Sequence, residues 1–369
     1  MPLALLLVVA GLGALLLGGE GLVTGAARLA RRLGVSPLAI GLTVVAFGTS
    51  APELAVSIIA ALEGTPDIAV GNVFGSNIFN VLVAVGGPAA ITGLVIRRDL
   101  FKREIPFCVM ANVLVICLAW TGLVLHRWEG IVLLGVLFAF LLWVARTGRA
   151  EGGEDDDDDD DDDAYRVFAA IAVVCGVGAA AVGQEQSVAL WALTAAAAVC
   201  AFIMHLNAQR GGLLGSVVLL PFGLGLLVGG SHFLVVGATA IARGLEVSEG
   251  TIGLTVVAIG TSAPELAAGI TAARRGLSDM VLGNAIGSNL FNLLSVLGAA
   301  SLIHPIAVAP QFLEFDAWIA LLTVVLLLPL AATKTGRLSR FAGALLVCLW
   351  IAYTTMLLVM ESGGVATLP

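Results

Sequence analysis

Charged residues are scarce in this chain: Asp, Glu, Lys and Arg make up 12% of its 369 residues, whereas 59% are hydrophobic. Soluble domains carry charge at roughly a quarter of their positions, so this composition excludes an ordinary soluble protein. Apolar runs of about 20 residues, the length at which a helix crosses a bilayer, fill most of the chain. It is therefore predicted to be an all-α polytopic membrane protein.

Motifs for covalent chemistry are missing as well. The chain has no nucleophile–base–acid set, no glycine-rich phosphate loop followed by lysine and no nucleotide-binding motif, which argues against an enzyme or a nucleotide-driven pump. Its five cysteines never have metal-ligand spacing such as CxxC, and we interpret them as small buried hydrophobes. Nothing in the chain indicates a cofactor, a nucleic acid or an obligatory protein partner.

The apolar runs predict twelve membrane-spanning helices. They are expected near 2–24, 36–62, 66–94, 104–120, 128–146, 167–183, 187–206, 213–236, 248–272, 278–302, 316–332 and 340–360. If the N-terminus lies outside, all but two of the 18 Lys and Arg residues fall on the cytoplasmic side, and the exceptions are Arg127 and Arg243. Positive charge favours the cytoplasmic side, so both termini are predicted to face outward from a plasma (inner) membrane.

Two stretches that lie 212 residues apart are nearly identical. Residues 41–57 read GLTVVAFGTSAPELAVS, and residues 253–269 read GLTVVAIGTSAPELAAG. A second matching pair follows, GNVFGSNIFN at 71–80 and GNAIGSNLFN at 283–292. Self-similarity over this length indicates an internal duplication.

The same offset relates the flanking spans, which divides the chain into two five-helix repeats, 1–146 and 207–369. Corresponding spans are separated by the five helices of a repeat and the two helices of an extra hairpin predicted at 167–206. This number is odd, so the second repeat is inverted relative to the first. The linker 147–166 contains nine consecutive aspartates, which repel one another, and it is predicted to be disordered and cytoplasmic. A weak attraction of Ca²⁺ by the linker and a regulatory or oligomer contact by the hairpin stay open beside purely structural roles.

One glutamate in each repeat, Glu53 and Glu265, lies inside a long apolar run. These are the carboxylates we place deep in the repeats, where a charge is costly and marks a functional site. Helical spacing places each glutamate on one face with three small residues. The small residues are Ala46, Thr49 and Ser50 in the first repeat and Ala258, Thr261 and Ser262 in the second.

A proline beside each glutamate, Pro52 or Pro264, removes a backbone N–H and frees the carbonyl of Gly48 or Gly260. Non-helical backbone is tolerated at membrane depth only where it is buried in protein or lines a cavity. Carbonyls, hydroxyls and carboxylates are hard oxygen ligands, which suit Na⁺ and Ca²⁺ rather than soft transition metals. The pattern predicts one cation site that is built twice.

The second block of each repeat adds polar side chains at helical spacing. Those duplicated opposite a buried glutamate are assigned to the site: Ser76, Asn80, Ser288 and Asn292. The remaining asparagines are interpreted as structural hydrogen-bonding groups between helices: Asn72, Asn77, Asn284 and Asn289.

The two glutamates would place two negative charges in the core, which one Ca²⁺ neutralises. An empty site must take up other cations or protons, so the protein would not easily change conformation unloaded. This is the physical basis of obligatory exchange. If several Na⁺ replaced one Ca²⁺, the cycle would move net charge and respond to the membrane potential.

The motif GTSAPELA followed by GNxxGSNxFN, present twice in inverted halves, resembles the α-repeats of the sodium/calcium exchanger family within the calcium/cation antiporter superfamily. The resemblance implies that Ca²⁺ is held chiefly by the two glutamates and by two backbone oxygens, those of Thr49 and Thr261. It implies Na⁺ sites that use the other assigned residues: Ala46, Ser50, Ser76, Asn80, Ala258, Ser262, Ser288 and Asn292.

The same resemblance implies that the helices at 2–24 and 213–236 slide across the other helices to alternate access. Some relatives carry Asp where this chain has Asn292, and potassium-dependent exchangers use such an acid. Asparagine at this position argues against potassium coupling.

Three functions compete for these features. The leading hypothesis is Na⁺-driven antiport that exports cytoplasmic Ca²⁺. The alternative is H⁺/Ca²⁺ antiport, in which protonation of Glu53 and Glu265 replaces Na⁺ binding, although the many neutral hydroxyl and amide ligands favour Na⁺. A calcium channel or sensor is less consistent with paired broken helices.

Overall fold

The structure, a computed structural model, describes residues 2–96, 102–147, 213–244, 258–331 and 336–362. Within these ranges the regular structure is helical, apart from four strands of two residues each. The predicted all-α membrane architecture is therefore confirmed in its class.

The helices of the two repeats correspond one to one. The first repeat contains α1 (Pro2–Arg32), α2 (Pro37–Thr49), α3 (Ala51–Leu62), α4 (Pro66–Thr92), α5 (Glu104–Trp120) and α6 (Arg127–Thr147). The second contains α7 (Leu213–Gly244), α8 (Ala258–Thr261), α9 (Ala263–Arg274), α10 (Ser278–Ile303), α11 (Ala317–Ala331) and α12 (Arg340–Ser362). Short π-helical turns occur at Gly41–Val45 in α2, Asn80–Val85 in α4, Phe291–Val296 in α10 and Phe312–Asp316 ahead of α11.

Among the described residues, seven helices are long and apolar enough to cross a membrane, and the bent pair α2 and α3 makes eight. The count of twelve is not reached, because the hairpin predicted at 167–206 and the start of the span predicted at 248–272 lie outside the described residues. The span predicted at 104–120 forms α5, an apolar helix of 17 residues that is too short to be counted among the eight. The span predicted at 2–24 proves too short. Its helix continues to Arg32 as an amphipathic segment that buries Ala26, Leu29 and Ala30 while its arginines turn outward.

Four short strands establish how the repeats are related. Strand β1 (Leu94–Val95) pairs with β4 (Arg337–Leu338), and β2 (Val124–Leu125) pairs with β3 (Ile306–Ala307), both antiparallel. The 212-residue offset makes β3 the counterpart of β1, yet β1 and β2 lie at opposite ends of α5. Since β3 pairs with β2 rather than lying beside β1, the second repeat is inverted relative to the first.

Helices α1 and α7 form a closely packed pair along their length. A methyl group added at Gly11 would lie 2.7 Å from the Gly230 carbonyl oxygen, and one at Gly18 would lie 2.8 Å from the Gly223 carbonyl oxygen. Small residues at such crossings allow two membrane helices to approach backbone to backbone. The pair therefore behaves as one structural unit beside the rest of the molecule.

This unit packs unequally against the two halves. Helix α1 runs along α9, and the Arg275 side chain at the end of α9 binds the Glu20 carboxylate and donates to the Thr24 hydroxyl at 2.7 Å. The equivalent contact of α7 with α3 is nearly absent among the described residues. Accordingly Thr271 on α9 is 8% exposed, whereas its counterpart on α3, Ile59, is 43% exposed.

Candidate cation site

Each of the two predicted glutamates lies in the first turn of a helix that follows a break. Ser50, with φ −81° and ψ 5°, separates α2 from α3, and the two helices meet at a bend of 44°. Ser262, with φ −93° and ψ 7°, separates α8 from α9 in the same way. The missing N–H of the proline that precedes each glutamate explains why the helices break here.

Helix breaks of this kind concentrate opposite partial charges at one level of the molecule. The N-termini of α3 and α9 stabilise the carboxylates of Glu53 and Glu265. The C-terminal carbonyls of the preceding segments are negative ends that favour a cation. A cation and two carboxylates are thus compatible with the same place.

Burial separates the site from solvent and lipid. The glutamates and the polar side chains predicted to accompany them are all at most 5% exposed: Glu53, Glu265, Thr49, Thr261, Ser50, Ser262, Ser76, Asn80, Ser288 and Asn292. Ala46 is fully buried, and Ala258 begins α8. Neither glutamate points to lipid, which the sequence-based hypothesis required.

The carboxylate of each repeat is bound by a serine of the other. The Ser262 hydroxyl donates to Glu53 Oε1 at 3.1 Å and lies 3.0 Å from the Ser76 hydroxyl. In the related position, the Ser50 hydroxyl donates to Glu265 Oε1 at 3.4 Å. Because each carboxylate is bound by a side chain of the other repeat, the site lies at the interface between the repeats.

Several oxygens of the site have no hydrogen-bond partner within the described part of the chain. They are buried and comprise Glu53 Oε2, Glu265 Oε2, Asn80 Oδ1 and Asn292 Oδ1. Buried polar atoms are almost always paired, so unpaired oxygens on both carboxylates and on two amides fit the coordination of a cation. No three His, Cys, Asp or Glu side chains cluster among the described residues, which leaves neutral oxygens to complete the coordination.

The threonine of the first repeat is tied to both repeats. The Thr49 hydroxyl lies 3.3 Å from the Ser288 hydroxyl and donates to Asn284 Oδ1 at 3.2 Å. The Ala46 carbonyl accepts from the Ser50 backbone N–H at 3.0 Å and lies 3.3 Å from the Thr49 hydroxyl, as an alternative acceptor for its one hydrogen. These contacts hold the broken segment of α2 against α10.

Close approach of α2 and α10 depends on glycine in the second block. A methyl group at Gly287 would lie 2.6 Å from the Leu42 carbonyl oxygen, and one at Gly283 would lie 2.7 Å from that of Leu38. The helices therefore touch through their backbones, which brings Ser288 of α10 to the Thr49 hydroxyl of α2.

Sequence reasoning missed the first of three features around the site, and it had interpreted the asparagines of the other two as structural. Ser231 of α7 donates to the Gly260 carbonyl, which Pro264 leaves without its helical partner, so this carbonyl is occupied in the present conformation. Asn72 donates to the Glu53 backbone oxygen at 3.2 Å and thereby supports α3. Asn77 and Asn289 each donate to the backbone oxygen of the other across the repeats. In the sequence only their duplication pointed to this pairing.

Deep burial of carboxylates is also not limited to the two glutamates of the site, which corrects the sequence-based expectation. Glu129 is 0% exposed, and its Oε2 accepts from the His126 backbone N–H at 2.6 Å. Glu104 is 7% exposed at the start of α5. Both lie at helix starts, where the first N–H groups favour a carboxylate, and this local role explains why they can be buried outside the site.

The fold and the site together define a class of protein, a membrane transporter whose two inverted repeats enclose a pair of buried carboxylates. The family model described as "Sodium/calcium exchanger protein" matches residues 3–146 and 215–359. The chain belongs to this family. It is accordingly an integral membrane cation/Ca²⁺ antiporter and not an enzyme.

Full-length relatives agree with this assignment. The inner membrane protein YrbG of Escherichia coli is 31% identical over 357 residues, which cover 97% of both chains. The sodium/calcium exchanger MaX1 of Methanosarcina acetivorans is 30% identical over 352 residues, covering 95% of this chain and 97% of MaX1. A solved structure of the sodium-calcium exchanger NCX_Mj superposes with a TM-score of 0.72 at 28% identity, covering 96% of this chain and 98% of that chain.

Proposed function

We propose that this protein exchanges Na⁺ for Ca²⁺ across the membrane and thereby exports Ca²⁺ from the cytoplasm. The observation that carries the proposal is the interface pair Glu53 and Glu265, each with one oxygen bound by a serine of the other repeat. The second oxygen of each carboxylate has no partner in the described chain. Two such carboxylates match the charge of one Ca²⁺, and the surrounding hydroxyl and amide oxygens match Na⁺.

In this proposal Ca²⁺ binds between the two glutamates with the backbone oxygens of Thr49 and Thr261. Na⁺ binds at overlapping positions through the remaining predicted ligands: Ala46, Ser50, Ser76, Asn80, Ala258, Ser262, Ser288 and Asn292. Overlap makes binding of the two ions mutually exclusive, because Ca²⁺ already neutralises both carboxylates and would repel a Na⁺ bound beside it. Exclusive occupancy of one site is what couples the two fluxes.

Alternating access follows from the unequal packing of the α1–α7 unit. The inverted repeats would allow a second arrangement of similar energy, in which α7 closes on α3 and α1 leaves α9. The glycine-lined contact between α1 and α7 would be kept during this movement, because both helices belong to the same unit. The site would then open to opposite sides of the membrane in turn.

For sidedness we propose that both termini face outward and that the acidic linker is cytoplasmic, on the distribution of Lys and Arg. The Arg275 end of α9 is then the cytoplasmic end, and the contact of α1 with α9 closes the cytoplasmic side. The inner-membrane relative supports placement in the same kind of membrane.

Antiport of H⁺ against Ca²⁺ is the competing function. It is supported by the unpaired Oε2 atoms of Glu53 and Glu265, since each could carry a proton when the site holds no metal. It gives no role to the buried neutral ligands Ser288 and Asn292. The two functions differ in which gradient drives Ca²⁺ movement.

A flux experiment on the purified protein in lipid vesicles decides between them. Uptake of radioactive Ca²⁺ is measured with an outward Na⁺ gradient at equal pH, and then with a pH gradient in the absence of Na⁺. We expect uptake only under the Na⁺ gradient, abolished by a Na⁺ ionophore and stimulated by a positive interior, because several Na⁺ leave for each Ca²⁺. Uptake driven by the pH gradient alone would favour the competing function, and uptake without either gradient would indicate a channel.

A further inference from the structure

Two asparagines outside the predicted ligand set meet their own counterparts across the repeats. The Asn77 side-chain amide donates to the Asn289 backbone oxygen at 3.4 Å, and the Asn289 amide donates to the Asn77 backbone oxygen at 3.3 Å. Both residues are 0% exposed. Since the two residues are related by the repeat, their reciprocal contact lies on the axis that relates the halves.

These bonds determine which end of each amide is which. A backbone carbonyl can only accept, so the NH₂ group of Asn77 must face Asn289 and its Oδ1 must face the other way. That Oδ1 lies 3.1 Å from Asn292 Nδ2. A carbonyl oxygen cannot donate, so Asn292 has to offer its NH₂ group to Asn77.

The orientation of Asn292 therefore follows from a backbone carbonyl two steps away. Its Oδ1 is left buried without a partner among the described residues. An oxygen in this position attracts a cation, whereas an NH₂ group would repel it. The difference between attraction and repulsion depends on Asn77.

The equivalent arrangement in the other half is incomplete. Asn289 Oδ1 and both polar atoms of the Asn80 amide are buried and without partners in the described chain. If Asn80 Nδ2 bound Asn289 Oδ1, the second half would match the first. The repeats thus share the components of this arrangement, and only one half has assembled it in the present conformation.

We propose that Asn77 and Asn289 are positioning residues that orient the amides of Asn292 and Asn80, respectively, so that each presents its oxygen to the transported cation. The inference rests on the proposed function, because it takes Asn292 and Asn80 as ion ligands. Asn77 and Asn289 do not touch the ion themselves. They act by fixing which end of a neutral ligand the ion meets.

Crossed double-mutant cycles test this assignment. The readout is the Na⁺ concentration that displaces half of the radioactive Ca²⁺ bound to the purified protein. We expect Asn77→Ala to raise this concentration by roughly tenfold, the equivalent of one lost hydrogen bond to a charged group. In an Asn292→Ala background the same substitution is expected to have no effect, because no amide is left to orient.

The structure supplies matched controls for these cycles. Asn77→Ala should remain fully effective in an Asn80→Ala background, and Asn289→Ala should couple to Asn80→Ala but not to Asn292→Ala. If Asn77 and Asn289 had only a structural role, each alanine would remove one amide–carbonyl bond. Asn77→Ala and Asn289→Ala would then have the same effect in every background. Equal fold-changes in the unmodified, Asn292→Ala and Asn80→Ala backgrounds would overturn the proposal.

Folding and function are separated by two further measurements. Each variant is checked by gel filtration and thermal unfolding, and if Asn77→Ala does not fold, Asn77→Ser replaces it with a hydroxyl too short to reach Asn292. If Na⁺ fails to displace Ca²⁺ from the unmodified protein, the proposed function is wrong, and the same cycles are then run on the Ca²⁺ dissociation constant. Additive cycles in a protein with normal Na⁺ displacement contradict the positioning role alone.

Discussion

At the residue scale, the chemistry depends on Glu53 and Glu265. Removing one carboxylate from water and leaving it unpaired costs several kcal/mol, and two that repel each other cost more. One serine hydroxyl for each and the N-terminus of a helix offset part of this cost. In the proposed function a bound cation offsets the rest of this cost.

Neutralising either glutamate should stop exchange while leaving the fold intact. Glu53→Gln and Glu265→Gln keep the side-chain shape but remove one of the two charges that match Ca²⁺. We expect Ca²⁺ uptake in lipid vesicles to fall to the level of empty vesicles, with an unchanged gel-filtration profile. Glu63→Gln, an exposed glutamate just beyond α3, is the control and should transport normally. Near-normal uptake by either site variant would contradict the assignment.

The sequence predicted the site residues by duplication, and the structure brings Ser262 to Glu53 and Ser50 to Glu265 across the two repeats. It interpreted Asn72, Asn77, Asn284 and Asn289 as structural hydrogen-bonding groups but did not predict their partners or the orientation of the amides. The structure supplies the partners: Asn77 donates to the backbone oxygen of Asn289, and Asn72 donates to that of Glu53. A one-dimensional pattern contains no information about which end of an amide is free.

At the scale of elements, the broken helices are predictable and their contacts are not. Proline beside each glutamate predicts the break between α2 and α3, and the structure places it at Ser50. The π-helical turns at Asn80–Val85 and Phe291–Val296 were not predicted, since an extra residue in a helical turn has no composition signal. Such turns recur at functional sites because they change the direction in which the following side chains point.

Contact between α2 and α10 should tolerate no added side chain at Gly287. A methyl group there would lie 2.6 Å from both the Leu42 carbonyl oxygen and the Ala46 side chain, neither of which can move independently of the helix. We expect Gly287→Ala to destabilise the protein by about 1–3 kcal/mol and to reduce uptake. Thermal unfolding and flux measure the two effects.

The control for this substitution is Gly135→Ala on α6. No described atom lies within 4 Å of a methyl group at that position, so alanine should be neutral or slightly stabilising. If both alanine variants had the same melting temperature and uptake as the original protein, the close approach of α2 and α10 would not matter for the site.

The ion pair between Glu20 and Arg275 should stabilise the closed contact of α1 with α9. Because the two side chains are 57% and 33% exposed, the pair is worth at most about 1 kcal/mol, which limits the effect on the conformational equilibrium to about fivefold. We expect Glu20→Arg or Arg275→Glu alone to increase labelling of a cysteine placed at Ala267, which α1 covers at Gly19. The double reversal should restore slow labelling; if it instead sums the single effects, the pair is not a closing contact.

At the scale of the whole molecule, inversion of the repeats turns one sequence motif into two opposite halves of a single site. The serine of each half binds the glutamate of the other, which is possible only because the halves interlock. The strand pairs β1–β4 and β2–β3 stabilise the same relation at the two ends of the molecule. Duplication explains the composition of the site, and inversion explains its position.

Inversion can be tested with two exposed residues that are counterparts in the repeats. Val95 and Ala307 lie on β1 and β3, and both are exposed. In a variant whose native cysteines are replaced, we expect Ala307→Cys to react with a membrane-impermeant thiol reagent added to intact cells. Val95→Cys should react only after the membrane is opened. Labelling of both from the same side would contradict the inverted arrangement, and the reverse pattern would invert the proposed orientation.

Local properties of the chain determined the class of membrane protein and the breaks at proline, because span length and backbone chemistry depend only on neighbouring residues. The repeat over 212 residues predicted the duplicated ligand set, because it can be recognised by comparing the chain with itself. The tertiary structure alone decided which serine binds which glutamate, how Asn292 is oriented and which half is closed. Those features rest on contacts between residues at least 186 positions apart in the chain, such as Ser76 with Ser262 and Glu20 with Arg275. Contacts over such distances form only when the inverted halves pack together, so the chain order does not reveal them.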